Sequence, residues 1–341
     1  MSGLEDNDMQ RFKNILCVVN TEMNDASALE HAVKLAANNN AQLTVVEIID
    51  EIPPDTTLLE RTLSAIDLKA KMIAAHQNRL QQLASPWSRK IEMKLKVLTG
   101  ILFLEVIHEV LRNGHDLVFK AAESGILLDR VFGSDDMHLL RKCPCPVWLV
   151  KPESPKTYNK ILAAVDVDDS YPSKELNTRL LLNQQILEMA GSLALSESAE
   201  LHIVHAWVAI GESFMRGGFA ARPEEEIATY VEEVRQKHSQ NLNVLLSEVI
   251  DRLGQDAVES LKTEKHLLKG YPRKNVPELA EKIKVDLVVM GTVARTGLSG
   301  FFIGNTAEAI LNQLDCSVLA IKPPGFVTPV TLDDQVVDVL Q

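Results

Sequence analysis

Apolar residues in this chain follow two alternating rhythms: short continuous runs, and longer stretches in which they return every three or four positions. The first kind suits strands buried on both faces, the second one-sided helices. Ile15-Leu16-Cys17-Val18-Val19 reads as a strand, Leu29, Ala32, Val33 and Ala36 mark a helix, and Leu43 to Ile49 reads as a second strand. Residues 56–84 read as a long helix with Leu59, Leu63, Ile66, Ile73 and Leu80 on one stripe. Residues 90–98 alternate like a strand, 102–111 are helical, and 116–120 form a strand. Asp135 to Arg141 is a helix, and Val147 to Lys151 closes the first half.

The order then starts again. Residues 160–166 mirror the first strand, 201–208 the second and 262–268 the third, with a long helix over 224–253. Gly270-Tyr271-Pro272 turns the chain into a helix over 276–283; the run from Asp286 to Met290 answers that from Asp116 to Lys120, and Cys316 to Lys322 answers Cys145 to Lys151. A strand–helix unit repeated at about 150 residues predicts α/β architecture: two tandem, doubly wound, Rossmann-like domains with parallel sheets. The expected bounds are 12–151 and 158–323, with residues 152–157 as linker and an acidic, loosely ordered tail over 324–341. Val147–Lys151 and Val318–Lys322 are apolar strands whose free edges need covering.

The net charge of −12 and pI near 5.3 disfavour nucleic acid as a partner. No apolar run is long enough for a membrane helix, and the acidic N-terminus is wrong for a secretory signal, so a cytoplasmic location is expected. Cys17 and Cys316 read as core residues. Cys143 and Cys145 sit in an extended, proline-flanked Cys-Pro-Cys, which should send the two thiols to opposite sides and leave them metal-free. His202 and His205 fall on opposite faces of a strand, and His108 and His138 lie on helices with no evident partner. Asp166, Asp168 and Asp169 read as acidic groups at the start of a helix. No nucleophile elbow, zinc-protease helix or Walker A loop is present, and no general base is identifiable, so no catalysis is expected.

One stretch carries candidate chemistry. Residues 286–290 form a strand, Gly291 ends it, and Gly304-Asn305-Thr306 opens a new apolar-periodic segment. Asn305 reads as an N-cap with Glu308 completing a capping box. A strand, a small-residue loop with Gly291, Ala294, Gly297, Gly300 and Gly304, and a helix N-terminus together suit a phosphate. A plain connecting loop is the other reading of the same spacing.

Laid side by side, the two copies resemble the tandem-domain, E-type members of the universal stress protein family, from about Phe12 to Lys322. That family's ATP-binding pattern is glycine, two residues, glycine, nine residues, then glycine and serine or threonine. In this chain Gly291, Thr292 and Ala294 stand in the first part, Arg295 begins the spacer, and Gly304, Asn305 and Thr306 stand at the end. Alanine replaces the second glycine and asparagine the serine or threonine. The resemblance implies an adenine-nucleotide alpha hydrolase-like fold, a non-catalytic stress-response role and, because the last strand of single-domain members pairs across a two-fold interface, a pseudo-dimer within one chain in which Val147–Lys151 and Val318–Lys322 lie against each other. It also implies ATP or a related adenine nucleotide in the C-terminal domain: Ala164, Val165 and Asp166 end the first strand, Asp166 meets the ribose, and Ala206 and Met290 line the base. In the N-terminal copy Asn20 stands for Asp166, Ala121 for Gly291 and Lys120 for Met290, which implies a fold retained and a nucleotide site lost. Lys120 itself reads as a strand-end lysine reaching solvent. Two alternatives stand beside this reading: a module for an apolar or lipid-like ligand or protein partners without nucleotide, and a slow ATP hydrolase. As an assembly, monomer and homodimer of the pseudo-dimer both remain open.

Overall fold

A computed structural model describes residues 12–23, 26–51, 65–123, 132–217, 221–253, 261–292 and 303–332. The first half contains β1 (Asn14–Val18), α1 (Ser27–Asn39), β2 (Gln42–Ile49), α2 (Ala65–Ala84), β3 (Met93–Thr99), α3 (Leu102–Asn113), β4 (Leu117–Ala121), α4 (Ser134–Lys142) and β5 (Val147–Val150). The second contains β6 (Lys160–Ala164), α5 (Ser173–Glu197), β7 (Glu200–Trp207), α6 (Glu212–Arg216), α7 (Glu224–Leu253) and β8 (Thr263–Lys269). It ends with α8 (Pro272–Ile283), β9 (Leu287–Gly291), α9 (Asn305–Leu311) and β10 (Ser317–Ile321). The N-terminal part of the helix expected from residue 56 lies outside the described residues.

All ten strands join one sheet in the order β3-β2-β1-β4-β5-β10-β9-β6-β7-β8. Eight of the pairings are parallel. The pairing between the halves is antiparallel, with Leu149 opposite Val318 and Trp148 opposite Leu319. The two apolar closing strands therefore cover each other, as their sequences require. The outer strands β3 and β8 instead carry lysines, Lys94 and Lys96 on one and Lys265 and Lys269 on the other, which blunts the free edges.

Successive strand residues face opposite ways, so the sheet divides the core in two. On one side Ile15, Phe119, Trp148, Ile161, Val289 and Leu319 pack with Leu29 of α1, Leu80 of α2, Ile186 of α5 and Leu245 of α7. On the other, Leu16, Val118, Leu162, Val288 and Val318 pack with Val106 of α3, Leu139 of α4, Leu279 of α8 and Ile310 of α9. Each core runs through both halves.

The repeat has a polar counterpart. Asp116 accepts the backbone N–H of Lys13 at 2.7 Å, and Asp286 accepts those of Asn159 and Lys160 at 2.6 and 3.0 Å. Each aspartate thus fixes the start of the first strand of its half.

Three expectations change. The described part of the tail is anchored at one point: Val330 is buried in the second core and the Thr331 carbonyl lies 3.1 Å from His108 Nε2, while Val327 and Leu332 stay exposed. His108 also meets Glu105 at 3.1 Å, so it has partners. The aspartates after β6 do not cap α5, which begins at Ser173 behind Pro172. Asp166 and Asp168 accept the N–H groups two residues ahead, of Asp168 and Ser170, and shape the loop itself.

Candidate functional site

The carboxyl ends of β6, β7 and β9 meet beside the entry to α9, where an open parallel sheet places its ligands. Ala164 pairs with Met290 across β6 and β9, and with Val204 across β6 and β7. Ala164, Ala206 and Met290 therefore share one face of the sheet. Ala164 and Ala206 are half-buried, whereas Met290 is buried in the second core. Val165 turns to the opposite face and belongs to the first core.

Asp166 follows β6 and is already engaged. One carboxylate oxygen accepts Arg179 Nη1 at 2.8 Å and the Tyr171 hydroxyl at 3.1 Å. The Arg179 guanidinium lies 3.3 Å from the Tyr171 ring centroid, a cation–π stack that fixes its plane. The backbone of Asp166 is clamped as well: its N–H donates to Asn183 Oδ1 at 3.0 Å, and its carbonyl accepts Asn183 Nδ2 at 2.7 Å. The other oxygen, Oδ1, accepts the Asp168 N–H at 3.2 Å, and with the side chain 43% exposed it keeps a lone pair that can meet a ligand hydroxyl. Arg179, Tyr171 and Asn183 were not foreseen. They lie on or before α5 at helical spacing, and Arg179 and Asn183, four apart, fall on the helix face toward Asp166.

Gly291 ends β9 because α5 leaves no room for a side chain there. A Cβ at this position would stand 2.6 Å from Leu182 Cδ2. That glycine serves close helix–strand packing. Gly304 differs. Its φ of −61° and ψ of 137° suit any residue. Among the described residues a Cβ there would meet nothing nearer than the Thr292 carbonyl at 3.9 Å. Gly304, not Asn305, is the N-cap of α9, and Asn305 and Thr306 are its first, exposed helical residues. The Gly304 N–H donates to the Thr292 carbonyl at 2.9 Å, which leaves the amides of the first turn to face outward. Thr292 turns inward, its hydroxyl 3.0 Å from the buried Lys322 ammonium. Ala294 and Arg295 lie outside the described residues.

The equivalent place in the N-terminal half is filled by its own side chains. Lys120 is buried, not solvent-exposed, and donates to Asp136 at 2.7 Å and Glu123 at 3.1 Å. Burial opposes its charge, but the two carboxylates outweigh it and hold its pKa above the ordinary value. Asp136 also accepts the N–H groups of Glu123 and Gly133, at 2.9 and 3.2 Å, at the start of α4. Asn20, the counterpart of Asp166, closes a local turn by accepting the Glu22 N–H at 2.9 Å.

Two further readings resolve at the level of side chains. The Cys143 and Cys145 sulfurs lie 3.6 Å apart, not on opposite sides, because the chain, extended at Cys143, bends at Pro144 and Cys145 before β5. His205 is buried between the Val165 carbonyl and His238, 3.3 and 3.0 Å away, a satisfied core histidine.

No helix among the described residues is long and apolar enough to cross a membrane. The model of the universal stress protein family matches residues 11–151 and again 157–322. Universal stress protein E of Escherichia coli K12 is 32% identical over 335 residues, covering 96% of this chain and 99% of that one. A Haemophilus influenzae homologue is 29% identical over 321 residues, covering 92% and 98%. A solved putative universal stress protein from Pseudomonas aeruginosa superposes with a TM-score of 0.66 at 26% identity, covering 93% and 95%. Two family matches in tandem, relatives of the same length and a ten-stranded sheet made of two like halves agree: the chain belongs to the universal stress protein family.

Proposed function

We propose that the protein is a non-catalytic stress-response factor whose C-terminal half binds one adenine nucleotide, ATP or a close relative. The observation that carries this is the difference between two equivalent glycines. Gly133 is covered by a carboxylate, whereas among the described residues only the Thr292 carbonyl at 3.9 Å approaches the Gly304 Cβ position, and the conformation there does not itself require glycine. A glycine without an internal reason leaves room for an external group. In this reading the phosphates lie against Gly304, Asn305 and Thr306, helped by the loop that carries Thr292, Ala294 and Arg295. Ala164 and Ala206 flank the base, with Val165, Met290 and Gly291 as the rigid floor behind them, and Asp166 Oδ1, which among the described residues accepts only the Asp168 N–H at 3.2 Å, takes a ribose hydroxyl on its remaining lone pair. Calorimetric titration of the full chain with ATP should give one site per chain. Gly304→Val should fold normally and bind at least about tenfold more weakly, a loss of about 1.4 kcal/mol. Two sites per chain, or full affinity in Gly304→Val, would overturn the assignment.

A second reading has one observation behind it. A cavity of about 320 Å³ lies between α5, α7 and the β7–β8 edge, lined by Leu187, Leu201, Ile203, Leu246, Val249 and Ile250. Its walls fit an apolar, lipid-like ligand. Mass spectrometry of molecules released from the purified chain separates the two: a nucleotide supports the first reading, an acyl chain the second.

A further inference from the structure

His202 on β7 and His266 on β8 do what His202 and His205 on one strand cannot: they bring two imidazoles to the same face of the sheet. His202 stands beside Glu264 in the parallel register, and His266 is two residues further along β8. Glu264 and His266 therefore point to the same side as His202. His202 Nδ1 and His266 Nε2 lie 3.0 Å apart. A Glu264 carboxylate oxygen is 3.6 Å from His202 Nδ1, and its other oxygen 3.9 Å from His266 Nε2. A tetrahedral ion bound at 2.0–2.1 Å needs ligand atoms about 3.3–3.4 Å apart, so the three donors stand close to that spacing before any ion arrives. We propose that His202, His266 and Glu264 form a binding site for a divalent transition-metal ion such as zinc, with solvent as the fourth ligand.

Three features favour a metal over a mere hydrogen bond between rings. His202 is buried, and its outward Nε2 has no hydrogen-bond partner among the described residues. A Glu200 carboxylate oxygen stands 3.7 Å from that nitrogen. A carboxylate there favours the tautomer with the proton on Nε2 and leaves the Nδ1 lone pair facing the site, the second-sphere arrangement that metal-bound histidines use. Without metal, one ring must donate its inward N–H to the other; a shift of that proton to the outward nitrogen presents two lone pairs. Glu264 is largely exposed and can swing onto an ion arriving from solvent. Lys282 near His266 and Lys160, 3.8 Å from Glu200, set the opposing positive field, which the two glutamates offset. Two imidazoles and a carboxylate suit a borderline ion better than magnesium or calcium.

The test uses the full chain, stripped with a chelator and titrated with zinc, and with cobalt(II) as a spectroscopic probe. One equivalent should bind, and cobalt should show tetrahedral visible absorption without a thiolate charge-transfer band, which excludes Cys143 and Cys145 as ligands. Since loss of an outer-shell partner alone costs about 10–100-fold, His266→Ala should weaken zinc by at least about a hundredfold and Glu200→Gln by about tenfold. Should His266→Ala fail to fold, Glu264→Ala on the exposed carboxylate decides, with weakened binding expected. No uptake of zinc, a thiolate band with cobalt, or parental affinity in Glu264→Ala and His266→Ala would overturn the site.

Discussion

The carboxylate of Glu123 fills the space over Gly133: a Cβ placed on that glycine would stand 1.7 Å from Glu123 Oε2. Asp136 takes the Gly133 N–H from below, and Lys120 neutralises both acids. The N-terminal half has thus closed its helix entry with its own negative charge, where an incoming phosphate would meet two carboxylates. The equivalent strand position in the C-terminal half is Met290, which needs no counterion.

Replacing Lys120 by methionine, the residue of the other half, should therefore damage the fold and spare the proposed nucleotide site. It leaves Asp136 and Glu123 without their partner, a loss of about 3–5 kcal/mol for a broken buried pair. The sign with pH follows from the raised pKa of Lys120. Its contribution is complete below the ordinary lysine value of 10.5 and lost as pH rises through the higher folded value. Urea unfolding should show the variant destabilised at neutral pH, with the gap narrowing only in strong alkali. An unchanged midpoint would show that the cluster contributes nothing.

The inner strands and their repeat were legible because each rests on one local signal, an unbroken apolar run, while the edge strand β3 showed itself by alternation. Helix α5 was not, since its apolar residues spread round the cylinder, with Leu180 and Leu181 exposed and Leu182 and Ile186 buried. That helix carries Arg179 and Asn183, so the partners of Asp166 were hidden with it. Lys120 was misread because a strand-end lysine usually reaches water; its acids at 123 and 136 become neighbours only once α4 returns to the sheet. The histidine cluster escaped for a similar reason. His202 and His266 are 64 residues apart, and register between strands is a tertiary property.

The cysteine pair yields a second prediction. Cys143 is fully buried and Cys145 nearly so, with Lys322 close enough to influence both. Burial pushes Cys316 up to about 12 and Cys17 up also. A thiol reagent should therefore modify the native chain only at the rate of unfolding, and find four thiols once denaturant is present. Fast labelling of one or two thiols in the native state would contradict this burial.

His31 makes the fold sensitive to acid. It stacks on Tyr158 at 4.7 Å, and burial, helped by Lys34, lowers its pKa from 6.5 to about 4. A histidine with a depressed folded pKa favours the fold above its unfolded value and loses that contribution as pH falls. The window is pH 6.5 down to about 4, and the full loss is about 3 kcal/mol. His31→Phe keeps a ring against Tyr158 and should flatten stability across that window by this amount. Parallel pH–stability curves for the two chains would refute the assignment.

Asp166 has two roles that one substitution confuses. In the structure it holds Arg179 and Tyr171; in the proposed function it also meets a ribose. Asp166→Ala removes the charged acceptor from a guanidinium that is only 10% exposed and leaves it Glu175 at 3.7 Å. Losing a hydrogen bond to a charged group costs about 1.5–3 kcal/mol, so the variant should be less stable with no nucleotide present. Arg179→Met separates the roles, because it breaks the same ion pair and leaves the carboxylate in place. If Asp166 serves both, the two variants lose similar stability, and the double variant is little worse than either. Only Asp166→Ala then weakens ATP, by about tenfold or about 1.4 kcal/mol, while Arg179→Met binds within about threefold of the parent. Equal ATP affinity in all three chains would leave Asp166 as the anchor of Arg179 and remove it from the nucleotide site.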